Sequence, residues 1–369
     1  MMLHGDNLQY IKSIPDNSIA AVVTDAPYGL GKEPDPSALI RAWLDVGYKE
    51  VKGKGFMGKE WDAFVPQPAF WKEVYRVLKP GGYVLCFFGT RTYDWGTLAI
   101  RLAGFEIRDC IQWIYGSGFP KSLNVVKAGA NSEWEGYGTA LKPAYEPICV
   151  ARKPLDGTVV ENVLKHRCGA LNLDGCRIGE AGGRNNGRKV DSDIYGKFGP
   201  TERVDYGKGR FPANIIFDEE AAGVLDQQSG ILTSGQPVGI QRGDRNRNVY
   251  GKFAGDAPIT GYGDIGGASR FFYCAKASSA DRNYGLPTGS KNTHPTVKPI
   301  KLMRYLVRLV KSPFNDCTIL DPYAGSGTTG VACALEGVCF IGCEQDQESY
   351  NIAKARIEEA EFNYIIGNV

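Results

Sequence analysis

Short apolar runs alternate with amphipathic stretches in both terminal parts of this 369-residue chain. Short runs rich in Val and Ile are typical of buried strands, whereas apolar residues three and four positions apart indicate helices. The predicted strands are 19–23, 83–88, 105–115, 147–151, 318–320 and 338–343, and the predicted helices are 8–14, 70–78, 95–103, 300–310, one ending at 335, and 347–361. Helices that alternate with strands predict an α/β fold of the doubly wound kind.

Two stretches between these elements carry further predictions. Residues 29–62 are rich in Gly and Lys without clear periodicity, which predicts a long loop over a strand end. The stretch Lys79-Pro80-Gly81-Gly82 is predicted to end the helix before it, because Pro and Gly are unfavourable inside helices.

The alternation is lost between about 153 and 269, where Gly, Asn, Arg, Asp and Tyr dominate. Within this region, 194–199 recurs as 249–254, and basic residues surround both copies. Basic and aromatic residues on Gly-rich loops are typical of a nucleic-acid surface, although a solvated insertion fits the composition equally well. The chain is therefore predicted to consist of 1–152, an inserted region 153–269, and 270–369.

Composition narrows the class of protein. The net charge of +2, with 43% hydrophobic and 23% charged residues, is ordinary for a soluble globular protein. No apolar run reaches the ~20 residues of a membrane span, and the N-terminus lacks a signal-peptide core, so a cytoplasmic protein is predicted. The ten cysteines form no C-x-x-C pair and only three histidines accompany them, which favours buried free thiols over a metal site.

The stretch Thr24–Gly29 follows the predicted strand 19–23 directly. It therefore lies at a carboxyl end of the sheet, where α/β proteins bind ligands. Asp25 offers an acceptor, Pro27 stiffens the turn and Tyr28 offers an aromatic face, a combination that suits a planar ring bearing an amino group. Taken alone, the stretch also fits an ordinary exit from a strand into a turn.

A second motif, Gly325-x-Gly327-x-x-Gly330, follows the strand 318–320 and opens a helix. Glycines at this spacing indicate a nucleotide site, and Glu344 at the end of the next strand could accept ribose hydroxyls. Asp321, before the glycines, suits a cationic or amino-bearing ligand better than a pyrophosphate. A nicotinamide site is disfavoured for that reason, and because the remaining strands of the sheet have to come from the N-terminal half.

Together, and in this order, the two motifs resemble the permuted, β-group amino-DNA methyltransferases, in which a D-P-P-Y motif precedes the S-adenosylmethionine motif. The resemblance covers roughly 1–152 and 270–369. Asp25-Ala26-Pro27-Tyr28 matches the catalytic tetrapeptide, with Ala26 in place of the first proline, and 321–328 matches the cofactor loop. Gly5-Asp6 and 296–299 match two further family segments.

The resemblance implies a Rossmann-like, circularly permuted methyltransferase sheet with an inserted target-recognition region. It implies methyl transfer from S-adenosylmethionine to N6 of a flipped adenine in a specific DNA sequence, since Asp leads the tetrapeptide. Asp25 and the backbone carbonyl of Ala26 would accept hydrogen bonds from the amino group, while Tyr28 would stack on the base. An N4-cytosine enzyme, an RNA methyltransferase and a DNA-binding protein with a vestigial cofactor fold remain as alternatives.

The resulting site predictions fall into three groups. The catalytic residues are Asp25, Ala26, Pro27 and Tyr28, and the cofactor residues are Asp6, Thr296, Lys298, Asp321, Pro322, Tyr323, Ala324, Gly325, Gly327, Thr328 and Glu344. The DNA-binding residues are Phe119, Lys121, Arg188, Lys197, Arg245, Arg247 and Lys252. Trp113 is predicted to serve the core rather than the base pocket. DNA is the predicted partner and no metal is required. Members of this family often pair, but the sequence shows neither a dimer interface nor a restriction partner.

Overall fold

The structure is a computed structural model that describes residues 1–53, 55, 58, 62–118, 122–179, 191–192, 196–197, 209–233, 265–275 and 279–367. The chain divides into two compact units. The first comprises Met1–Asn172, Asn214–Glu220 and Cys274–Val369, and the second comprises Leu173–Ala213 and Ala221–Tyr273. The predicted division at 152 and 270 stays a prediction.

A nine-stranded sheet organises the first unit. The strands are β1 (Met2–His4), β2 (Ile19–Thr24), β3 (Leu78–Phe87), β4 (Glu106–Ile114), β5 (Tyr145–Arg152), β6 (Asp191–Ser192), β7 (Gly196–Lys197), β8 (Ile215–Asp218), β9 (Leu232–Thr233), β10 (Ile265–Gly266), β11 (Tyr273–Ala275), β12 (Thr318–Asp321) and β13 (Cys339–Glu344). The sheet has the order β1-β13-β12-β2-β3-β5-β4-β8-β11, while β6 pairs with β7 and β9 with β10 in two small antiparallel ribbons.

Ten α-helices occur among the described residues. They are α1 (Asn7–Ser13), α2 (Pro36–Asp45), α3 (Pro68–Val77), α4 (Tyr93–Leu102), α5 (Val159–His166), α6 (Glu219–Ser229), α7 (Ser279–Asn283), α8 (Ile300–Val310), α9 (Thr328–Leu335) and α10 (Gln347–Gly367). Helix α3 packs against α1 and α4, while α9 packs against α8 and α10. Among the described residues, no helix is both long enough and apolar enough to cross a bilayer.

Parallel pairing sets the position of the site. Strands β1, β13, β12, β2 and β3 all run in the same direction. Their carboxyl ends therefore meet at one edge, which is where open α/β sheets bind ligands. All six residues of β2 are buried, which explains its continuous apolar run. The segments after β1, β2 and β12 carry Asp6, Asp25 and Pro322 to this edge, and Glu344 ends β13 there.

The predicted α/β class is confirmed by this sheet, and most predicted elements fall within a few residues of the observed ones. The predicted loop 29–62 was wrong in part because it contains α2. Asp35 caps that helix by accepting from the Ala38 amide, and Pro36 occupies its first turn. This pairing of an acidic cap with a first-turn proline is a helix-start signal that was visible in the sequence.

Helix α3 ends at Val77, just before Lys79–Gly82, as predicted, and these four residues belong to β3. Leu78 pairs with Ile19 and Tyr83 pairs with Ala21, so the residues between them bulge out of the ladder. Gly81 adopts a φ of 80°, and a Cβ there would lie 2.4 Å from the Asn162 side chain. The Pro-Gly-Gly pattern therefore marks a bulge within a strand.

Candidate active site

Asp25 lies directly after β2, at the carboxyl edge of the sheet. Its Oδ2 accepts a hydrogen bond of 2.7 Å from Lys298 Nζ. Its other oxygen, Oδ1, is buried and has no hydrogen-bond partner within the part of the chain that the structure describes. A buried acceptor without a partner is costly in a folded protein, so it indicates a group that a ligand completes.

Lys298 joins Asp25 to two further groups, Glu146 and Tyr28. Its ammonium lies 3.2 Å from Glu146 Oε2 and 3.2 Å from the Tyr28 hydroxyl. The Tyr28 hydroxyl in turn donates a hydrogen bond of 2.7 Å to Glu146 Oε2. The side chains of Lys298, Asp25 and Glu146 are 9%, 17% and 21% exposed, so all three charges are largely removed from water.

Burial and charge determine the protonation states of this cluster. Burial alone would lower the pKa of Lys298, but the carboxylates of Asp25 and Glu146 raise it above its ordinary value. Burial, together with the same two carboxylates, raises the pKa of Tyr28 well above its ordinary range. Lys298 is therefore a cation and Tyr28 a neutral phenol near neutral pH.

The turn that carries Asp25 is held rigidly on both sides. Gly29 has a φ of 65°, and a Cβ there would lie 2.7 Å from the Val65 amide nitrogen, so this close approach requires glycine. The Gly29 amide donates to Asp62 Oδ1 at 3.0 Å, and the Thr92 hydroxyl donates to the Tyr28 carbonyl. Ala26 and Pro27 are buried within this turn.

Asp321 ends β12, next to β2, but its environment differs from that of Asp25. Its Oδ1 accepts from the Thr24 hydroxyl at 2.6 Å and from the Tyr323 amide at 3.1 Å, and its Oδ2 accepts from the Thr329 hydroxyl at 2.5 Å. Burial raises the pKa of Asp321 to about 6, although these hydrogen bonds oppose the shift. Both oxygens therefore accept hydrogen bonds from other groups of the protein.

The glycine-rich loop connects β12 to α9. Gly325 adopts a φ of 51°, and a Cβ there would lie 2.9 Å from His294 Nε2. The Gly325 amide donates to Glu344 Oε2 at 2.8 Å, and Glu344 Oε1 accepts from the Asp346 amide at 2.8 Å. Burial raises the pKa of Glu344. The loop and this carboxylate therefore form a cradle in which each acceptor oxygen retains a lone pair for a ligand.

The other two glycines of the motif serve helix packing. A Cβ at Gly327 would lie 2.8 Å from Ala353 Cβ, and one at Gly330 would lie 2.3 Å from Ile357 Cδ1. Both contacts are with α10. Of the three glycines, only Gly325 would place a Cβ against His294 rather than against α10.

Arg356 is fully buried, with an exposed fraction of 0%, and bonds to the glycine-rich loop. Its guanidinium donates to the Ser326 carbonyl at 2.6 Å, the Ser326 hydroxyl at 3.1 Å and the Thr328 hydroxyl at 3.2 Å. Burial lowers the pKa of Arg356 to about 10. Thr328, predicted to bind the cofactor, is buried and bonded to this arginine.

The remaining predicted cofactor residues are distributed around the same edge. Asp6 is exposed, caps α1 by accepting from the Gln9 amide at 2.9 Å, and adjoins Gly5, whose amide donates to the Glu344 carbonyl at 2.9 Å. The Pro322 carbonyl accepts from the Asn7 amide group at 3.0 Å. This network places Asp6 beside the end of β13, as the two parallel strands require.

Three other members of the predicted set show contrasting environments. Tyr323 packs its ring 5.3 Å from that of Phe70, within the core. Ala324 is buried and donates its amide to the Cys343 carbonyl at 3.0 Å. Thr296 is exposed and bonds through its backbone to the His294 ring rather than capping α8, whose N-cap is Pro299.

Glu146 was missed by the sequence analysis. It lies on β5 and faces Trp113 on β4 in the antiparallel ladder, so both side chains share one face of the sheet. Trp113 Nε1 is buried and has no hydrogen-bond partner within the described residues. Nothing in the sequence near Glu146 distinguishes it from other acidic residues, because its role depends on a pairing between distant strands.

Six of the seven predicted DNA-binding residues lie outside the described part of the chain. Phe119, Lys121, Arg188, Arg245, Arg247 and Lys252 have no described placement, and for Lys197 only the backbone is described, in β7. The repeat at 194–199 and 249–254 likewise falls almost wholly outside it. In the part of the chain that is described, no cluster of three or more His, Cys, Asp or Glu side chains could hold a metal ion.

Comparisons with known proteins identify a DNA methylase family. The family model described as DNA methylase, covering N6 and N4 enzymes, matches residues 19–355. The Type II methyltransferase M.HindIII of Haemophilus influenzae is 23% identical over 381 residues, which is 96% of this chain and 94% of that protein. The Type II methyltransferase M2.MboI of Moraxella bovis is 40% identical over 70 residues, 19% of this chain and 25% of that protein.

Two solved structures are similar over nearly the whole chain. The PvuII cytosine-N4-specific DNA methyltransferase has a TM-score of 0.47 and 15% identity, covering 99% of this chain and 92% of that one. The M1.HpyAVI–SAM complex has a TM-score of 0.41 and 16% identity, covering 96% and 98%.

Proposed function

Because the chain belongs to the N6/N4 DNA methylase family, a family of S-adenosylmethionine-dependent DNA methyltransferases, we propose that its target is the exocyclic N6 of a flipped adenine and that Asp25 receives it. The unpartnered Oδ1 of Asp25 carries this proposal, since it is a buried acceptor at the end of β2 that no described residue satisfies. An amino group of a base is the donor that such an acceptor requires.

Asp25 and Ala26 act together on the amino group. Asp25 Oδ1 accepts one N–H and the Ala26 backbone carbonyl accepts the other, so the nitrogen lone pair is freed from conjugation with the ring. Because the carbonyl belongs to the backbone, alanine can replace the proline of the family motif. A base inside a duplex cannot reach a site at the edge of a sheet, so the target nucleotide has to be flipped out. Rigid positioning by the turn 26–29 then supplies much of the rate enhancement.

The cofactor cradle lies at the adjacent strand ends. S-adenosylmethionine, when bound, supplies a methyl group activated by a sulfonium. The loop at Gly325, the Glu344 carboxylate and Asp6 are suited to hold it, because a loop without side-chain bulk and two carboxylates converge at the ends of β12, β13 and β1. The inserted region 153–269 remains the proposed target-recognition region.

Adenine is proposed over cytosine because aspartate leads the tetrapeptide, as the resemblance implies. The experiment that tests this choice incubates the purified protein with S-adenosylmethionine and plasmid DNA from a methylation-free host. The DNA is then digested to nucleosides and analysed by mass spectrometry. N6-methyladenine is the expected product. N4-methylcytosine would overturn the choice of base, and methylation of RNA but not DNA would overturn the choice of polymer.

A further inference from the structure

One ammonium group, that of Lys298, is shared by two carboxylates in the catalytic cluster. It lies 2.7 Å from Asp25 and 3.2 Å from Glu146. If Lys298 faced Asp25 alone, a one-to-one ion pair would cancel the charge of the catalytic carboxylate. In a site this buried, such a pair is strong and weakly screened by water.

We propose that Glu146 is a positioning residue that acts as the counter-ion of Lys298, so that Asp25 keeps its negative charge for the substrate. This inference rests on the proposed function of Asp25. With Lys298 protonated, Tyr28 neutral and both carboxylates ionised, the four-residue cluster carries a net charge of minus one. Lys298 can then orient Asp25 through Oδ2 without removing the negative potential at Oδ1.

The reaction explains why that remaining charge is needed. The amino nitrogen forms a bond to the methyl carbon with its own lone pair, the bond from that carbon to sulfur breaks, and sulfur keeps the electron pair. Positive charge thus moves to the nitrogen until one N–H proton is lost to solvent water. A carboxylate that accepts from that N–H stabilises the developing charge, and a carboxylate neutralised by lysine does so poorly.

The position of Glu146 indicates that it acts on Tyr28 and Lys298 rather than on the substrate directly. Its Oε2 is already taken by the Tyr28 hydroxyl at 2.7 Å and by Lys298. Its place on β5, between β3 and β4 in the sheet, fixes it independently of the turn that carries Asp25. Glu146 therefore orients Tyr28 and balances Lys298 from a separate, rigid element.

The first test is Glu146→Gln, which keeps an oxygen acceptor for Tyr28 and removes only the charge. We expect kcat to fall about 10- to 100-fold, with KM for DNA and the calorimetric Kd for S-adenosylmethionine changed less than about threefold. Glu358→Gln is the matched control, because Glu358 forms an exposed ion pair with Lys354 on α10. An unchanged kcat for Glu146→Gln would overturn the inference.

The decisive test adds a second substitution. Lys298→Gln alone leaves two buried carboxylates without the cation that they share, so repulsion between them should displace Asp25 and lower kcat. The double variant Glu146→Gln, Lys298→Gln restores a single charge on Asp25, and we expect it to be more active than either single variant. Additive losses would mean that Glu146 only supports the structure, and would overturn the counter-ion role.

The outcomes of this series are distinct from a failure of the proposed function. If the wild-type protein methylates no amino base in DNA, the assignment of Asp25 fails and the variants cannot be ranked by activity. If the wild type methylates DNA and the double variant is no better than the singles, only the role of Glu146 fails.

Discussion

Asp25 and Asp321 end two neighbouring parallel strands, yet their carboxylates are used in opposite ways. Each is followed by a proline and a tyrosine within three residues. Asp321 is 2% exposed and accepts hydrogen bonds from Thr24, Thr329 and the Tyr323 amide. Asp25 accepts from Lys298 through one oxygen only. The sequence motif is similar, and the hydrogen-bond environment differs.

Under the proposed function, this difference separates a carboxylate that holds the fold together from one that receives the substrate. The bonds of Asp321 join β2, β12 and α9, so they hold β2 against the loop that connects β12 to α9. Asp25 Oδ1 is a buried acceptor without a hydrogen bond among the described residues, and a donor from a ligand would satisfy it. Hydrogen bonding therefore distinguishes the two carboxylates, whereas their positions in similar motifs do not.

The largest expected effect is that of Asp25→Asn on methyl transfer. The asparagine oxygen will face Lys298, so its amide NH₂ will face the amino group of the base, and two donors will oppose each other. We expect the rate to fall by at least about 1000-fold, measured as transfer of a tritiated methyl group to plasmid DNA. The calorimetric Kd for S-adenosylmethionine should change by less than about threefold. Retained activity would exclude Asp25 as the acceptor.

The next effect concerns folding rather than catalysis. Asp321→Ala leaves the Thr24 and Thr329 hydroxyls and the Tyr323 amide without their acceptor in a buried site. Each orphaned donor costs about 1–3 kcal/mol, so the free energy of unfolding should fall by roughly 3 kcal/mol or more. Urea unfolding followed by tryptophan fluorescence measures this loss. Asp25→Ala is the matched comparison and should lose less, because it removes one bonded oxygen, Oδ2, whose donor Lys298 keeps Glu146, and one oxygen, Oδ1, without a partner among the described residues.

The free energy of unfolding should also depend on pH through Asp321, with a change of similar size. Because the pKa of Asp321 is raised to about 6 in the folded protein, the folded state holds its proton more tightly than the unfolded chain does. The stability that comes from this tighter proton binding is present below about pH 4 and is lost as the pH rises through about 6. The difference in unfolding free energy between wild type and Asp321→Asn should thus shrink by roughly 3 kcal/mol across that window. A constant difference would contradict the raised pKa.

The smallest expected effect is that of Trp113→Phe. Trp113 Nε1 is a buried donor without a described partner, on the same face of the sheet as Glu146. A ring nitrogen of the flipped base is an acceptor that would satisfy it. We expect kcat/KM for DNA to fall about fivefold, which corresponds to one ordinary hydrogen bond of about 1 kcal/mol. Trp134→Phe is the control, since Trp134 is 51% exposed, and equal effects of both changes would leave Trp113 in the core role that the sequence predicts.

Much of the fold could be predicted from local patterns. Strand β2 is apolar from Ile19 to Val23 because it is buried on both faces, and α8 was predicted at its observed bounds because its apolar residues repeat with helical spacing. Helix α2 was missed because its surroundings are rich in Gly and Lys, although Asp35 and Pro36 marked its start. The α/β class and the position of the two motifs at strand ends followed from such local signals.

The chemistry of the site could be predicted only in part, because it depends on distant contacts. Glu146 lies 118 residues from Tyr28 and reaches it only through the order of β3, β5 and β4 in the sheet. Lys298 was predicted beside the cofactor, whereas its ammonium bonds to Asp25, 273 residues away. Its contact with the cofactor stays a prediction. No local pattern reports which oxygen of a carboxylate is left free.

The hydrogen bond between Thr24 and Asp321 also has a consequence for how the protein is made. The two residues are 297 positions apart, and a ribosome adds roughly 5 to 20 residues per second. The edge of β2 that pairs with β12 therefore stays unpaired for roughly 15 to 60 s, until β12 has been synthesised. An unpaired apolar strand edge is prone to join other chains. Recovery of soluble protein should accordingly improve when synthesis is slow relative to chaperone binding, and nascent chains that end before Thr318 should be the species that aggregates.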